Sequence, residues 1–273
     1  MKIAFASDLH LEAADVKLHN TENADLLILA GDILVASSLF AKDEKHYLGD
    51  REFSLKKSDA FHTFFQQVCE EFKNVIYILG NHESYYYDIT ETLSKIKRTF
   101  SYLKNLHVLE KETITFDDIT FYCATFWTDF NKNDPNVIWG IRRKINDFTL
   151  INNGKFLFTP QDAYKEHQDS LSVLNDVLTD TSIKKLVVVT HHCPSSLCIP
   201  EEYKGQDYIA TSGFVSNLES FIMDNPKIRV WVSGHTHNVL DTLLGKTRLL
   251  QNCRGYYPSE ELSRNFELKY FEV

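Results

Sequence analysis

The chain has 273 residues, 43% hydrophobic and 25% charged, with a formal net charge of −9. That length and balance fit one large α/β domain or two small ones with a buried core, and they exclude a disordered chain. The excess of carboxylates argues against a protein that grips long nucleic acid, which needs a basic face, and leaves room for a small phosphorylated substrate drawn to a local cationic centre.

Lys2–Ala6 and Leu26–Ala30 are short apolar runs that predict buried strands, succeeded by Ser7-Asp8-Leu9-His10 and Gly31-Asp32. Helical spacing of apolar residues predicts a helix over 59–72. Residues 75–79 predict a third strand, which ends in Gly80-Asn81-His82-Glu83, and a helix comes next over 90–103. Residues 114–116 and Ile119–Ala124 read as strands. From 128 to about 158 the pattern is poor and rich in Asn and Asp, as expected of a long excursion that forms a lid. Thr159-Pro160 opens a helix over 162–178. A strand over 186–190 leads into His191-His192, and Ser212 caps a helix over 212–223. Ile228–Ser233 is a strand that runs into Gly234-His235-Thr236-His237. Looser alternation marks closing strands at 247–251 and 267–273. Strands alternating with helices imply an α/β fold. No repeat or linker divides the chain, so 1–273 is read as a single domain.

Five cysteines (Cys69, Cys123, Cys193, Cys198, Cys253) include no CxxC pair. They read as reduced thiols of a cytoplasmic protein. Asp8 comes too early for a signal peptide, and no apolar run approaches the roughly 20 residues of a membrane span.

The chemistry lies in the residues just beyond the apolar runs. Five predicted strands deliver metal-competent side chains at their carboxyl ends, where ligands of open α/β sheets bind. Imidazole and carboxylate suit manganese, iron or zinc. In Asp8-Leu9-His10 and in His235-Thr236-His237, alternate residues point the same way if the backbone stays extended. Glycine before Asp32, Asn81 and His235 lets the chain turn sharply off the strand.

With its blocks DLH, GD, GNHE, HH and GHTH in order from Asp8 to His237, the sequence resembles the calcineurin-like metallophosphoesterase superfamily. The resemblance implies a four-layer α/β/β/α sandwich with two mixed β-sheets and two transition-metal ions, manganese in vitro, with iron or zinc as alternatives. One ion would take Asp8, His10, Asp32 and His237, the other Asp32, Asn81, His191 and His235. His82 would face the substrate instead of a metal. Asp32 is followed by Ile33-Leu34-Val35-Ala36, not the Asp-Arg pair of the Ser/Thr protein phosphatases. The sequence is similar instead to the phosphodiesterase-like and small bacterial or phage branches.

Two cations about 4 Å apart can share a water and lower its pKa toward neutrality. In-line attack on a phosphodiester or phosphomonoester then needs a proton for the leaving oxygen, and His82 is the candidate catalytic acid. The candidate substrate contacts are His192, Tyr85, Arg142 and Arg254. Each has a plainer reading. His192 could be a donor behind the metal ligands, Tyr85 a packed ring, Arg142 a solvated charge and Arg254 an exposed loop residue. The expected partner is a small phosphorylated substrate, not a membrane, a nucleic-acid polymer or an obligate protein partner. A nuclease of the same superfamily and a catalytically silent metal-binding scaffold are the rival functions.

Overall fold

The computed structural model describes residues 1–41 and 51–273, with side chains from residue 56 onward in the second stretch. Two sheets carry the fold. The first contains β1 (Lys2–Ala6), β2 (Leu26–Ala30), β3 (Asn74–Ile78) and β4 (Leu106–Leu109), all parallel. The second includes β5 (Glu112–Phe116) and β6 (Ile119–Ala124). A two-stranded ribbon, β7 (Asn152–Asn153) and β8 (Phe156–Leu157), stands apart from both sheets. The second sheet continues with β9 (Lys185–Thr190), β10 (Ile228–Ser233), β11 (Val239–Leu244) and β12 (Thr247–Asn252), while β13 (Lys269–Glu272) returns antiparallel to β1. The orders are β13-β1-β2-β3-β4 and β11-β12-β10-β9-β6-β5.

The central strands are apolar on both sides because both faces are covered. One face of each sheet meets the other sheet. Ile3, Ile28 and Ile76 pack there against Phe121, Val187 and Val232. The outer face of the first sheet buries Phe61, Phe65 and Val68 of helix Arg51–Glu71 and Ile96 of helix Ile89–Thr99. The outer face of the second sheet buries Leu174 of helix Pro160–Thr179 and Ile222 of helix Glu219–Asp224. Three apolar interiors make four layers, as expected. Among the described residues no helix is long and apolar enough to cross a membrane.

Local signals explain most boundaries. Thr159 accepts from the Asp162 backbone while Asp162 caps back, with Pro160 in the first turn. The helix expected over 212–223 is broken. Tyr208–Thr211 forms one turn, and Glu219–Asp224 starts without a side-chain cap. The break arises because Phe214 to Ser216 are tied to Cys193, through Cys193 N donating to Phe214 O and Ser216 N donating to Cys193 O. Tertiary pairing wins there over helical spacing.

Candidate metal centre

Asp8 and His10 lie just past β1, Asp32 past β2, and Asn81 and His82 past β3. His191 comes directly after β9, and His235 and His237 after β10. These carboxyl-terminal turns are laced to one another. Asp8 N donates to Gly31 O, His10 N to Asp32 O, and Gly234 N to His191 O. The parallel bridge between Ser7 and Cys253 joins the two sheets at the same rim.

The backbone here is not extended. Asp8, His10, Asp32, His235 and His237 have φ of 53°, 47°, 55°, 69° and 45°. An extended chain would carry each pair away along the strand, whereas left-handed residues coil it back so that both side chains face inward. Each such non-glycine residue costs about 1–3 kcal/mol, a strain that surrounding contacts must hold. Gly31 does turn the chain, at φ 85°. Gly80 and Gly234 serve differently from the expectation. A Cβ on Gly80 would lie 2.1 Å from Asp32 Oδ1, and one on Gly234 would lie 2.7 Å from Asp8 Oδ2. They make room for carboxylates.

Two donor sets result. In the first, His10 Nε2 lies 3.1 Å from His237 Nε2, and His237 Nε2 lies 3.6 Å from Asp8 Oδ1. In the second, His191 Nε2 lies 3.0 Å from Asn81 Oδ1, 3.1 Å from His235 Nδ1 and 3.4 Å from Asp32 Oδ1. Burial pushes the Asp32 carboxyl up, but His191, His82 and His10 outweigh it and hold the group well below the usual range. By distance Asp32 groups with His191 and His235, and its other oxygen lies 3.9 Å from His82 Nε2.

The hydrogen-bond partners of the ring nitrogens orient these sets. His10 Nδ1 faces Glu12 Oε1 at 3.0 Å, and His237 Nδ1 faces both oxygens of Glu260 at 2.8 and 2.9 Å. Each Nδ1 therefore donates to its carboxylate, which leaves the two Nε2 atoms facing each other 3.1 Å apart. His191 Nδ1 donates to Ala30 O, and its Nε2 stands 3.0 Å from the Asn81 carbonyl oxygen; burial would lower the ring, but Asp32 and Asp8 raise it to about 10. That oxygen is fixed because Asn81 Nδ2 donates to Asp147 and Tyr85. Imidazole nitrogens and carboxylate oxygens gathered within 4.8 Å of one another in a buried site are a donor set that suits a cation. The residues fit metal ions.

Sequence reading missed the residues that impose this. Glu12 Oε1 also meets His82 Nδ1 at 3.0 Å. Burial would raise the Glu12 carboxyl, but its bonds to His10 and His82 bring it down to about 2. Burial would likewise lower His82, yet Asp32 and Glu12 push it up to about 9. Tyr256 Oη lies 3.0 Å from His82 Nε2. Glu83 is buried and accepts from the backbone N–H groups of Gly80, Asp32 and Ile33 and from the Tyr77 hydroxyl. Only Glu83 had a visible signal, its place in the GNHE block. The others reach the site from loops far away in sequence or from a position two beyond His10.

The four expected substrate contacts are placed variously. Tyr85 lines the cleft, but its hydroxyl donates to Asp147. His192 is buried, in tilted ring contact with Trp127 and His235, and burial together with His191 drives it down to about 3. It lies behind His235 and is not part of the cleft lining. Arg254 corrects both sequence readings. It is 3% exposed and spends its guanidinium on the carbonyls of Leu9, Ala14 and Asp15, so it pins the turn that carries Asp8 and His10. Arg142 is exposed and lies outside the cleft lining.

The centre opens into a cleft of about 1100 Å³. Lys144 to Asp147, from the irregular 128–158 segment, form part of its wall, facing Leu197, Ile199 and Phe214. The segment itself holds three short helices (Phe130–Asn133, Pro135–Ile141, Asp147–Leu150) and the β7–β8 ribbon.

Comparison with known proteins agrees with this geometry. The family model described as calcineurin-like phosphoesterase matches residues 1–239. An uncharacterized protein of Acanthamoeba polyphaga mimivirus is 28% identical over 275 residues, covering 93% of this chain and 91% of its own. The crystal structure of phosphopantetheinyl hydrolase from Mycobacterium tuberculosis superposes with a TM-score of 0.70 at 15% identity, over 99% of this chain and 95% of that one. At that identity the likeness is one of fold.

Proposed function

The chain belongs to the calcineurin-like phosphoesterase family, and from that premise we propose a dinuclear phosphoester hydrolase acting on a small phosphorylated or nucleotide substrate. Asp8, His10, Asp32 and His237 would hold one ion, and Asp32, Asn81, His191 and His235 the other, with Asp32 shared. When bound, the pair supplies positive charge for phosphoryl oxygens and makes water acidic enough to serve as nucleophile near pH 7. Manganese is the ion expected to support turnover in vitro, and iron and zinc suit the same donors.

The protein's own groups do the rest. Glu12 and Glu260 lock His10 and His237 in the tautomer that leaves Nε2 free. Asp147 keeps the Asn81 amide oxygen turned inward. His82 lines the cleft with Nδ1 on Glu12, positioned as the source of the proton that the leaving oxygen needs. The observation that carries the reading is the 3.1 Å approach of His10 Nε2 and His237 Nε2, each with its other nitrogen on a carboxylate.

Charge in the cleft supports a small substrate over a polymer. Lys144 is paired with Asp207 and Lys204 with Glu201, while Glu202 and Glu261 have no cationic partner among the described residues. Such a wall repels a strand carrying many phosphates. The five cysteines are free thiols, which supports a reducing, cytoplasmic setting. Turnover of p-nitrophenyl phosphate, bis-p-nitrophenyl phosphate and single-stranded DNA should be compared with added Mn²⁺. We expect cleavage of one of the small esters and a far slower nuclease rate, and loss of both in Asp32→Asn. DNA as the best substrate would favour the nuclease. Absence of any metal-dependent turnover would favour a silent scaffold.

A further inference from the structure

We propose that the Tyr256 hydroxyl relays the proton from His82 to the leaving oxygen, which makes Tyr256 a second catalytic residue of the site. This rests on the hydrolase reading above.

His82 is poorly placed to reach a substrate directly. Its side chain is only 13% exposed. Tyr85 covers one side at 4.1 Å between ring centres, and His10 covers another at 4.5 Å. Nδ1 is committed to Glu12, and the remaining nitrogen, Nε2, is met by Tyr256 Oη at 3.0 Å. Tyr256 is the outer member of the pair. It is 37% exposed and lines the cleft.

Nor is Tyr256 a loosely held cover. Its ring stacks on His10 with centres 4.2 Å apart and planes at 24°, and meets His237 edge-on at 5.1 Å. Its carbonyl accepts from Glu260 N, in the same residue whose carboxylate holds His237. Swinging the ring aside would forfeit both aromatic contacts. Keeping it in place costs nothing if the hydroxyl itself passes the proton.

The oxygen of the activated water forms the new P–O bond as the bond to the leaving oxygen breaks, and the electron pair stays on that oxygen. It takes the hydroxyl proton of Tyr256, while Tyr256 takes the proton on His82 Nε2. The proton released when the water is activated restores His82, so the net change is addition of water across the ester. Glu12 retains its bond to Nδ1 throughout.

The test is dependence on the leaving group, using ethyl aryl phosphodiesters that release phenols from p-nitrophenol to unsubstituted phenol. Nitrophenolate departs with little need of a proton, and phenolate needs one. In Tyr256→Phe, which keeps the stacked ring, the ratio of kcat for the nitrophenyl ester to that for the phenyl ester should rise at least about tenfold, a part of the ~10²–10⁴ that proton transfer contributes. His82→Ala should raise the same ratio, and the double variant should add little to either. A second readout needs no turnover. In the metal-free protein, Tyr256→Phe should move the ring ¹H–¹⁵N signal of His82, identified by its loss in His82→Ala. A ratio in Tyr256→Phe equal to that of wild type, or an unmoved His82 signal, overturns the relay. Wild-type protein that cleaves neither ester with Mn²⁺ overturns the hydrolase reading instead.

Discussion

Replacing Gly80 by alanine tests whether the centre depends on the packing of a carboxylate against backbone. Gly80 does not have a left-handed φ, so alanine is not barred by the backbone. The added Cβ would lie 2.1 Å from Asp32 Oδ1, 2.6 Å from Asp32 N and 2.9 Å from Asp32 Cγ. Ordinary contact begins near 3.4 Å, so the carboxylate must retreat by about 1 Å, and displacement on that scale costs on the order of 10²-fold in rate. The same oxygen accepts from His82 N at 2.9 Å and faces His191 Nε2 at 3.4 Å, and both contacts would be disturbed. Overpacking of this kind costs about 1–3 kcal/mol. That corresponds to a fall in Tm of about 2–4 °C per kcal/mol for a large domain. Calorimetry, metal analysis and kcat/KM on the Mn²⁺-loaded protein read all three effects. Gly140→Ala is the control, because the atoms nearest its Cβ, from 2.9 Å, belong to the flexible side chain of Ile209, so it adds a comparable methyl without touching Asp32. A Gly80→Ala protein with wild-type metal content, activity and Tm would refute the reasoning.

Single contacts set the other outcomes. Glu83→Ala strands the backbone N–H groups of Gly80, Asp32 and Ile33 in a buried place; at about 1–3 kcal/mol per lost partner, urea melts should show destabilisation of about 3 kcal/mol or more. Arg254→Ala frees the carbonyls of Leu9, Ala14 and Asp15, so titration with Mn²⁺ should show weaker metal affinity, with KM little changed at saturating metal. A large rise in KM alone would return Arg254 to the substrate. Burial raises the partly buried Glu110 from 4.5 to about 7 against its bonds from Thr125. The raised carboxyl stabilises the fold fully below pH 4.5 and loses that contribution as pH rises through about 7. Screening reduces the loss to about 2 kcal/mol. Glu110→Gln should flatten stability across that window, as read by urea melts at its two ends.

The strand ends and the metal-competent residues beyond them were legible because short apolar runs buried on both faces leave a clear edge, and each run gives way within one or two residues to Asp, Asn or His. The backbone that gathers them was not. Alternation in Asp8-Leu9-His10 suggested an extended chain, yet Asp8 and His10 are both left-handed, a conformation imposed by bonds to the neighbouring Gly31 and Asp32 turn. The residues that set the tautomers were also hidden. Glu260 lies 23 residues from His237, and Tyr256 lies 174 from His82. Nothing in local spacing joins such pairs, since only the sheet order does. The segment at 212–223 shows the converse failure, where helical spacing was present and a pairing with Cys193 broke it. Edge strands such as β11, with alternating exposure, escaped a reading tuned to fully buried runs.

Metal content per chain is the most direct measurement, made by plasma mass spectrometry on protein loaded with Mn²⁺ and freed of excess. Two ions per chain are expected in wild type, one in His237→Ala and one in His191→Ala, and weakened retention of both in Asp32→Asn. A single ion in wild type, or two retained after His237 and His191 are both replaced, would contradict a centre in which facing imidazole nitrogens and one shared carboxylate hold a pair of cations.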